Sequence, residues 1–334
     1  MRQRFGVVVL VLGAVAGLFS VVSRSSGATA RHPADTPLIG LTYTSYFTPV
    51  TLQHVTPRTL SPEGSTLRLG EPGGTEGLQW ARRGDTLAVE VYGVPRKSTP
   101  IRIVDAGLLR VRRSVSAGQR DICGLGFDGA TLVALAAVPW CNNEPQVKTT
   151  FSVLRINVGS GRVVGDVPVS ELKPFAYPVS LAFGDGHAYV ARAAGAVDSI
   201  DLRTGVVTSR RPRRTLAKGG DAVFARWLGE HRLGLGAQIV DVRTWRSRLV
   251  TSDAQRLTAG GPYVVAFGTD GARAFTRTGH LPFLLLRGEN ISDAHVAGHY
   301  LYVNADTDTE VFDLRTQKRI SVVPHANEWT LLAP

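Results

Sequence analysis

Ser199-Ile-Asp201-Leu-Arg-Thr-Gly205 reads as the end of one β-strand, a tight turn and the start of the next strand. An acid at the first turn position accepts hydrogen bonds from backbone N–H groups two or three residues on. A glycine at the last position tolerates the left-handed conformation that closes the hairpin. The same signature returns in Arg155-Ile-Asn157-Val-Gly-Ser-Gly161, Ile239-Val-Asp241-Val-Arg-Thr-Trp245 and Val311-Phe-Asp313-Leu-Arg-Thr-Gln317. Weaker copies are Ile103-Val-Asp105-Ala-Gly107, Ala274-Phe-Thr-Arg-Thr-Gly279 and Val55-Thr-Pro-Arg-Thr59. The positions equivalent to Asp201 are then Thr56, Asp105, Asn157, Asp201, Asp241, Phe275 and Asp313, at steps of 49, 52, 44, 40, 34 and 38 residues. Intervals near forty match one four-stranded blade of a β-propeller.

A second signature keeps phase with the first. Arg83-Gly-Asp-Thr-Leu-Ala-Val89, Asp128-Gly-Ala-Thr-Leu-Val133 and Asp185-Gly-His-Ala-Tyr-Val190 each place a polar, Gly-containing turn before an apolar strand. Gly229-Glu-His-Arg-Leu-Gly234, Gly260-Gly-Pro-Tyr-Val-Val265 and Gly298-His-Tyr-Leu-Tyr-Val303 repeat it. These are the expected hairpins between the innermost strand of a blade and the next. The first blade offers strands at 41–47, 50–55 and 64–70 but no innermost strand ahead of them. The tail Ala326-Asn-Glu-Trp329-Thr-Leu-Leu-Ala-Pro334 resembles the innermost segment Gly77-Leu-Gln-Trp80, so the C-terminus is expected to supply the missing strand and close the ring. No long stretch after the N-terminal segment has helical periodicity. The expected fold is an all-β, seven-bladed β-propeller over 41–334, six and eight being the neighbouring blade counts.

His187-Ala-Tyr-Val-Ala-Arg-Ala-Ala-Gly-Ala-Val-Asp-Ser-Ile-Asp-Leu-Arg-Thr-Gly205 resembles a repeat of the YVTN-type, WD40-like β-propellers, and so does His299-Tyr-Leu-Tyr-Val-Asn-Ala-Asp-Thr-Asp-Thr-Glu-Val-Phe-Asp-Leu-Arg-Thr316. The good match covers two blades. Thr56 and Phe275 depart from it at the turn acid, Trp245 and Gln317 at the turn glycine. The resemblance implies a fold and an envelope location. It implies no activity, because such propellers include binding proteins and enzymes.

At the N-terminus, Met1-Arg-Gln-Arg4 is basic, 5–22 is apolar, and Ala28-Thr29-Ala30 fits a small-x-small cleavage site. Residues 1–30 therefore read as a signal peptide or an uncleaved membrane anchor, and 31–40 as a linker. The folded part is expected outside the cytoplasm: secreted, in the cell wall or in the periplasm. In that compartment the two cysteines, Cys123 and Cys141, suggest a disulfide, two buried free thiols being the alternative. The net charge is +11, and stays at +8 without the first thirty residues, which carry Arg2, Arg4 and Arg24 and no acid. Export argues against nucleic acid as partner and leaves an anionic envelope polymer, a glycan or a protein. Membrane contact is expected only through an uncleaved N-terminus, and the chain as a monomer.

Candidate sites are sparse. The longest irregular insertion, 138–148, carries Trp140, Asn142, Asn143 and Glu144 beside Cys141, a set suited to a sugar or peptide. Arg210, Arg211, Arg213, Arg214 and Lys218 crowd one loop between blades and suit an anionic partner. Asp306, Asp308 and Glu310 alternate as in some Ca²⁺ loops but lack EF-hand spacing, so no cofactor is expected, Ca²⁺ at these three residues being the alternative. Asp293, His295 and His299 fall on a strand and a turn, where a four-residue spacing does not bring two ligands together. No catalytic motif is present, and catalytic residues stay unassigned. The leading functional reading is a non-catalytic binding module at the cell envelope. The alternatives are a secreted hydrolase, lyase or lactonase with a central-channel site, and a passive structural cell-wall protein.

Overall fold

The structure, a computed structural model, describes residues 38–42, 50–70, 79–91, 100–141, 148–175, 180–213, 224–251, 254–277, 283–305, 308–324 and 329–332. The expected signal segment lies outside them. The chain builds seven antiparallel four-stranded sheets. Blade one holds β1 (Leu38–Thr42), β2 (Thr51–Val55) and β3 (Pro62–Arg68). Blade two is β4 (Trp80–Arg83), β5 (Thr86–Glu90), β6 (Pro100–Asp105) and β7 (Arg110–Ser116), and blade three is β8 (Asp121–Asp128), β9 (Thr131–Val138), β10 (Thr150–Asn157) and β11 (Arg162–Val169). Blade four runs through β12 (Leu181–Gly184), β13 (His187–Ala191), β14 (Val197–Asp201) and β15 (Val207–Arg210). Blade five has β16 (Ala225–Gly229), β17 (Arg232–Leu235), β18 (Gln238–Asp241) and β19 (Arg246–Leu249). Blade six has β20 (Arg256–Gly260), β21 (Tyr263–Gly268), β22 (Gly271–Thr276) and β23 (Phe283–Arg287). Blade seven has β24 (Asp293–Ala297), β25 (Tyr300–Asn304), β26 (Asp308–Asp313) and β27 (Lys318–Pro324). The last strand, β28 (Trp329–Leu332), returns to blade one, which is ordered β28-β1-β2-β3.

That return closes the ring. Ile39 pairs with Leu332, Leu41 with Thr330 and Thr42 with Trp329. Leu331 is buried with Leu38, Val55, Tyr302 and Val311, side chains drawn from blades one and seven. Strand β1 starts at Leu38, inside the stretch expected as linker. The reason is its apolar alternation. Leu38 faces blade seven, while Ile39 and Leu41 pack with Leu87 and Val89 of blade two.

Seven apolar clusters fill the seven seams between blades, so each sheet buries both faces against its neighbours. The middle strands accordingly read as continuous apolar runs, as in β9, where 132–137 are all buried. Outer strands such as β7 and β27 are largely exposed.

The turn signature behaves as its chemistry demands. Asp201 Oδ1 accepts the N–H groups of Arg203 and Thr204, each at 2.8 Å. Asp241 accepts those of Arg243 and Thr244 at 3.0 and 2.9 Å, and Asn157 that of Ser160 at 2.8 Å. Trp245 and Gln317 take up the left-handed conformation themselves, at φ of 54° and 57°, where Gly205 has 72°. Blade six requires one correction. Thr276, not Phe275, holds the strand-end position, since it pairs with Tyr263 as Asp241 pairs with Arg232. Phe275 is drawn into the apolar seam between blades five and six.

Candidate functional site

Strand order sends the third hairpin of every blade, and the first of blades two to seven, to one end of the ring. The second hairpins and the links between blades go to the other. Sheet twist then carries each outer strand across to the third hairpin of the next blade. Arg113 Nε donates to Gly159 O at 3.2 Å, the N–H of Arg213 to Trp245 O at 3.1 Å, and Ser321 Oγ to Arg58 O.

At the seam of blades four and five this crossing gathers cations. Arg210, Arg211 and Arg213 leave β15 exposed, and the Arg210 guanidinium lies 5.7 Å from the centre of the Trp245 ring. Arg243 and Arg246, also exposed, flank Trp245 in sequence. The nearest acid in the turn, Asp241, is already engaged. The N–H of Thr244, opposed in part by burial, holds its carboxyl below the usual range, helped by the Thr244 hydroxyl and the Arg243 N–H. Arg214 and Lys218 lie outside the described residues.

The innermost strands surround the channel. A cavity of about 370 Å³ is walled by β4, β8, β12 and β16, with Arg82, Arg83, Phe127, Phe183, Arg226 and Trp227 among its lining. The rings reach it because the facing strands carry glycine. A β-carbon on Gly126 would come within 2.4 Å of Phe183, and one on Gly184 within 2.1 Å of Trp227. Trp227 stacks on Tyr189 at 5.7 Å. Arg82 donates through Nε to Gly84 O at 3.2 Å. Burial pushes its guanidinium down to about 10, with Asp85 offsetting part of the effect.

Arg226 is held from across the channel. Its Nη1 is 3.7 Å from Asp293 Oδ1 and 3.4 Å from Ala294 O, and its Nη2 donates to His295 Nδ1 at 3.2 Å. Nδ1 is therefore an acceptor, and the proton on Nε2 points at Asp293 Oδ2, 2.8 Å away. Burial disfavours the Asp293 charge, but His295 and Arg226 outweigh it and keep this carboxylate ionised far below the usual range. Asp293 and His295 thus form a scaffold for an arginine. His299 sits in the following hairpin, with Nε2 2.9 Å from Arg315 Nη2.

At the opposite end Cys123 and Cys141 form a disulfide, both sulfurs buried in the seam of blades three and four. Cys123 is the extra residue where β8 slips register against β9. Trp140 is half-buried beside it, while Asn142, Asn143 and Glu144 lie outside the described residues. The Cys141 N–H donates to Asp121 Oδ2 at 2.9 Å. Next to Asp121 stands Glu90, fully buried, neither of its oxygens in a hydrogen bond of good geometry. Burial and the Asp121 charge push its carboxyl well above the usual range, and the N–H groups of Gln79 and Ile122 pull only partly back.

A group whose folded value is raised stabilises fully below its unfolded value near 4.5, and the contribution fades as pH rises toward the folded value. Glu90→Gln keeps the size of the side chain and removes the carboxyl that burial and Asp121 disfavour as a charge. It should raise stability at alkaline pH by about 1–3 kcal/mol and flatten the decline of Tm with pH. Thermal melts from acid to alkaline pH check this; parallel curves for both proteins would refute it.

Among the described residues no three His, Cys, Asp or Glu side chains converge. Asp306 lies outside them. Asp308 opens β26, and both oxygens of Glu310 accept from Arg319 Nη1 at 3.0 Å.

No protein-family model matches the chain, and no curated protein matches it in sequence. Among solved structures it is similar to the computationally designed Ika8 protein, at 15% identity over 86% of this chain and 87% of that one, with a TM-score of 0.50. It is also similar to BamB from Moraxella catarrhalis, at 15% identity over 87% and 83% of the two chains, with a TM-score of 0.48. Likeness at this identity is likeness of fold alone.

Proposed function

We propose that this chain is an exported, non-catalytic binding module of the cell envelope that holds an anionic polymer on its outer rim. The observation that carries the reading is the seam of blades four and five, where Arg210, Arg211, Arg213, Arg243 and Arg246 are all exposed around Trp245. Cations spread along a rim suit an extended polyanion, which can meet several at once. Export is supported by the apolar N-terminal segment and by a disulfide, which persists in oxidising compartments.

The test uses retention on immobilised polyphosphate. Arg211→Glu/Arg243→Glu/Arg246→Glu should weaken retention at least about tenfold with Tm unchanged, and salt should weaken the wild type too. Arg110→Glu/Arg162→Glu/Lys318→Glu makes the same change in net charge on other exposed rim positions. Equal loss in both variants would mean diffuse attraction and would refute the patch, as would salt-independent retention.

A further inference from the structure

We propose that the central channel is a second, separate site, which takes a small organic anion with an aromatic or otherwise flat apolar body. The cavity walled by β4, β8, β12 and β16 is lined by three arginines and by no acid. Strands β4 and β16 stand three blades apart in a ring of seven, so Arg82 and Arg226 approach the space from nearly opposite sides. Between them lie Phe127, Phe183 and Trp227. A ligand carboxylate can accept charge-assisted hydrogen bonds from the guanidiniums while its flat body stacks on the rings beside them.

The site is built in advance. Arg226 is fixed from behind by Asp293, Ala294 O and His295, and Phe183 and Trp227 are seated on strands whose glycines leave no slack. Arg82 is oriented by the carbonyl of Gly84. Groups locked before binding lose little entropy when a ligand arrives. About 370 Å³ suits a ligand of one or two fused rings. A further hollow of about 510 Å³ between blades two and three shares Arg83 and Phe127 as walls, which gives a longer ligand room to extend.

The experiment is calorimetric titration of the full chain with naphthoate, with its uncharged isostere naphthamide, and with inorganic phosphate. One naphthoate should bind per chain, and naphthamide and phosphate should each bind at least about tenfold more weakly, since one lacks the charge and the other the apolar body. Arg82→Gln should weaken naphthoate by a similar factor without altering naphthamide. Equal affinity for naphthoate and naphthamide overturns the proposal, as does phosphate binding as tightly as naphthoate. So does wild-type naphthoate affinity in a folded Arg82→Gln protein, or no binding up to about 10 mM. Should Arg82→Gln fail to fold, the wild-type contrast between acid and amide decides. The rim triple substitution leaves this affinity intact, which separates the two sites.

Discussion

A chain that stops at Pro324 should no longer unfold in a single cooperative transition. Deletion removes β28, which supplies the whole hydrogen-bonded partner of the inner edge of β1. It also uncovers the pocket of Leu38, Val55, Tyr302 and Val311 that Leu331 fills. Each lost ladder bond contributes about 0.5–1.5 kcal/mol net, and the buried leucine about 1.5–3 kcal/mol. Together these losses are on the order of 5 kcal/mol, against a usual domain stability of 5–15 kcal/mol. The exposed edge of β1 would further invite pairing between molecules. Leu331→Ala isolates the packing part and should lower stability by about 2–5 kcal/mol. Chemical denaturation with light scattering reads both effects. A truncated protein melting within a few degrees of the full chain would show that the ring does not depend on its last strand.

Gly184→Ala should be the most damaging single methyl in the channel wall. The added carbon would lie 2.1 Å from Trp227 Cδ2 and Cε2, a rigid ring rather than the end of a flexible chain. The ring is itself stacked on Tyr189, so relief requires the seam of blades four and five to open. Overpacking of this kind costs typically about 1–3 kcal/mol and more where nothing can move, and the upper end is expected here. Gly107→Ala is the control, because its nearest neighbours would be 3.6 Å away or farther and the change should be close to neutral. In a Trp227→Leu background the penalty of Gly184→Ala should largely vanish, giving a clear coupling in a double-mutant cycle. Additive losses would place the strain elsewhere.

The architecture was legible because its chemistry is local. Asp201, Asp241 and Asp313 each cap their own turn with N–H groups two or three residues away, so the signal survives in any window that contains the turn. Trp329 and Trp80 both open innermost strands, which is why the tail could be matched to its place in the ring. Boundaries were less visible. Leu38 joins β1 because of what faces it from blade seven, and nothing near it in sequence says so. Phe275 was misplaced by one position for the same reason, since only pairing with β21 reveals the register.

The candidate sites were harder to read. Arg243 and Arg246 sit in or beside a quoted repeat, yet their meeting with Arg210 and Arg213 is produced by sheet twist between two blades. Arg82 and Arg226 are distant in sequence and converge only when the ring is closed. Asp293 and His295 stood out in sequence only as metal-ligand types; their use, orienting Arg226 from across the channel, depends on a strand two blades away.

Because β28 ends and β1 begins side by side, the described ring opens at Leu38 and closes at Leu332 within one ladder, at the end where β4 carries Arg82 and Arg83. Labels meant to leave that seam undisturbed belong on the second hairpins, at the other end of the ring.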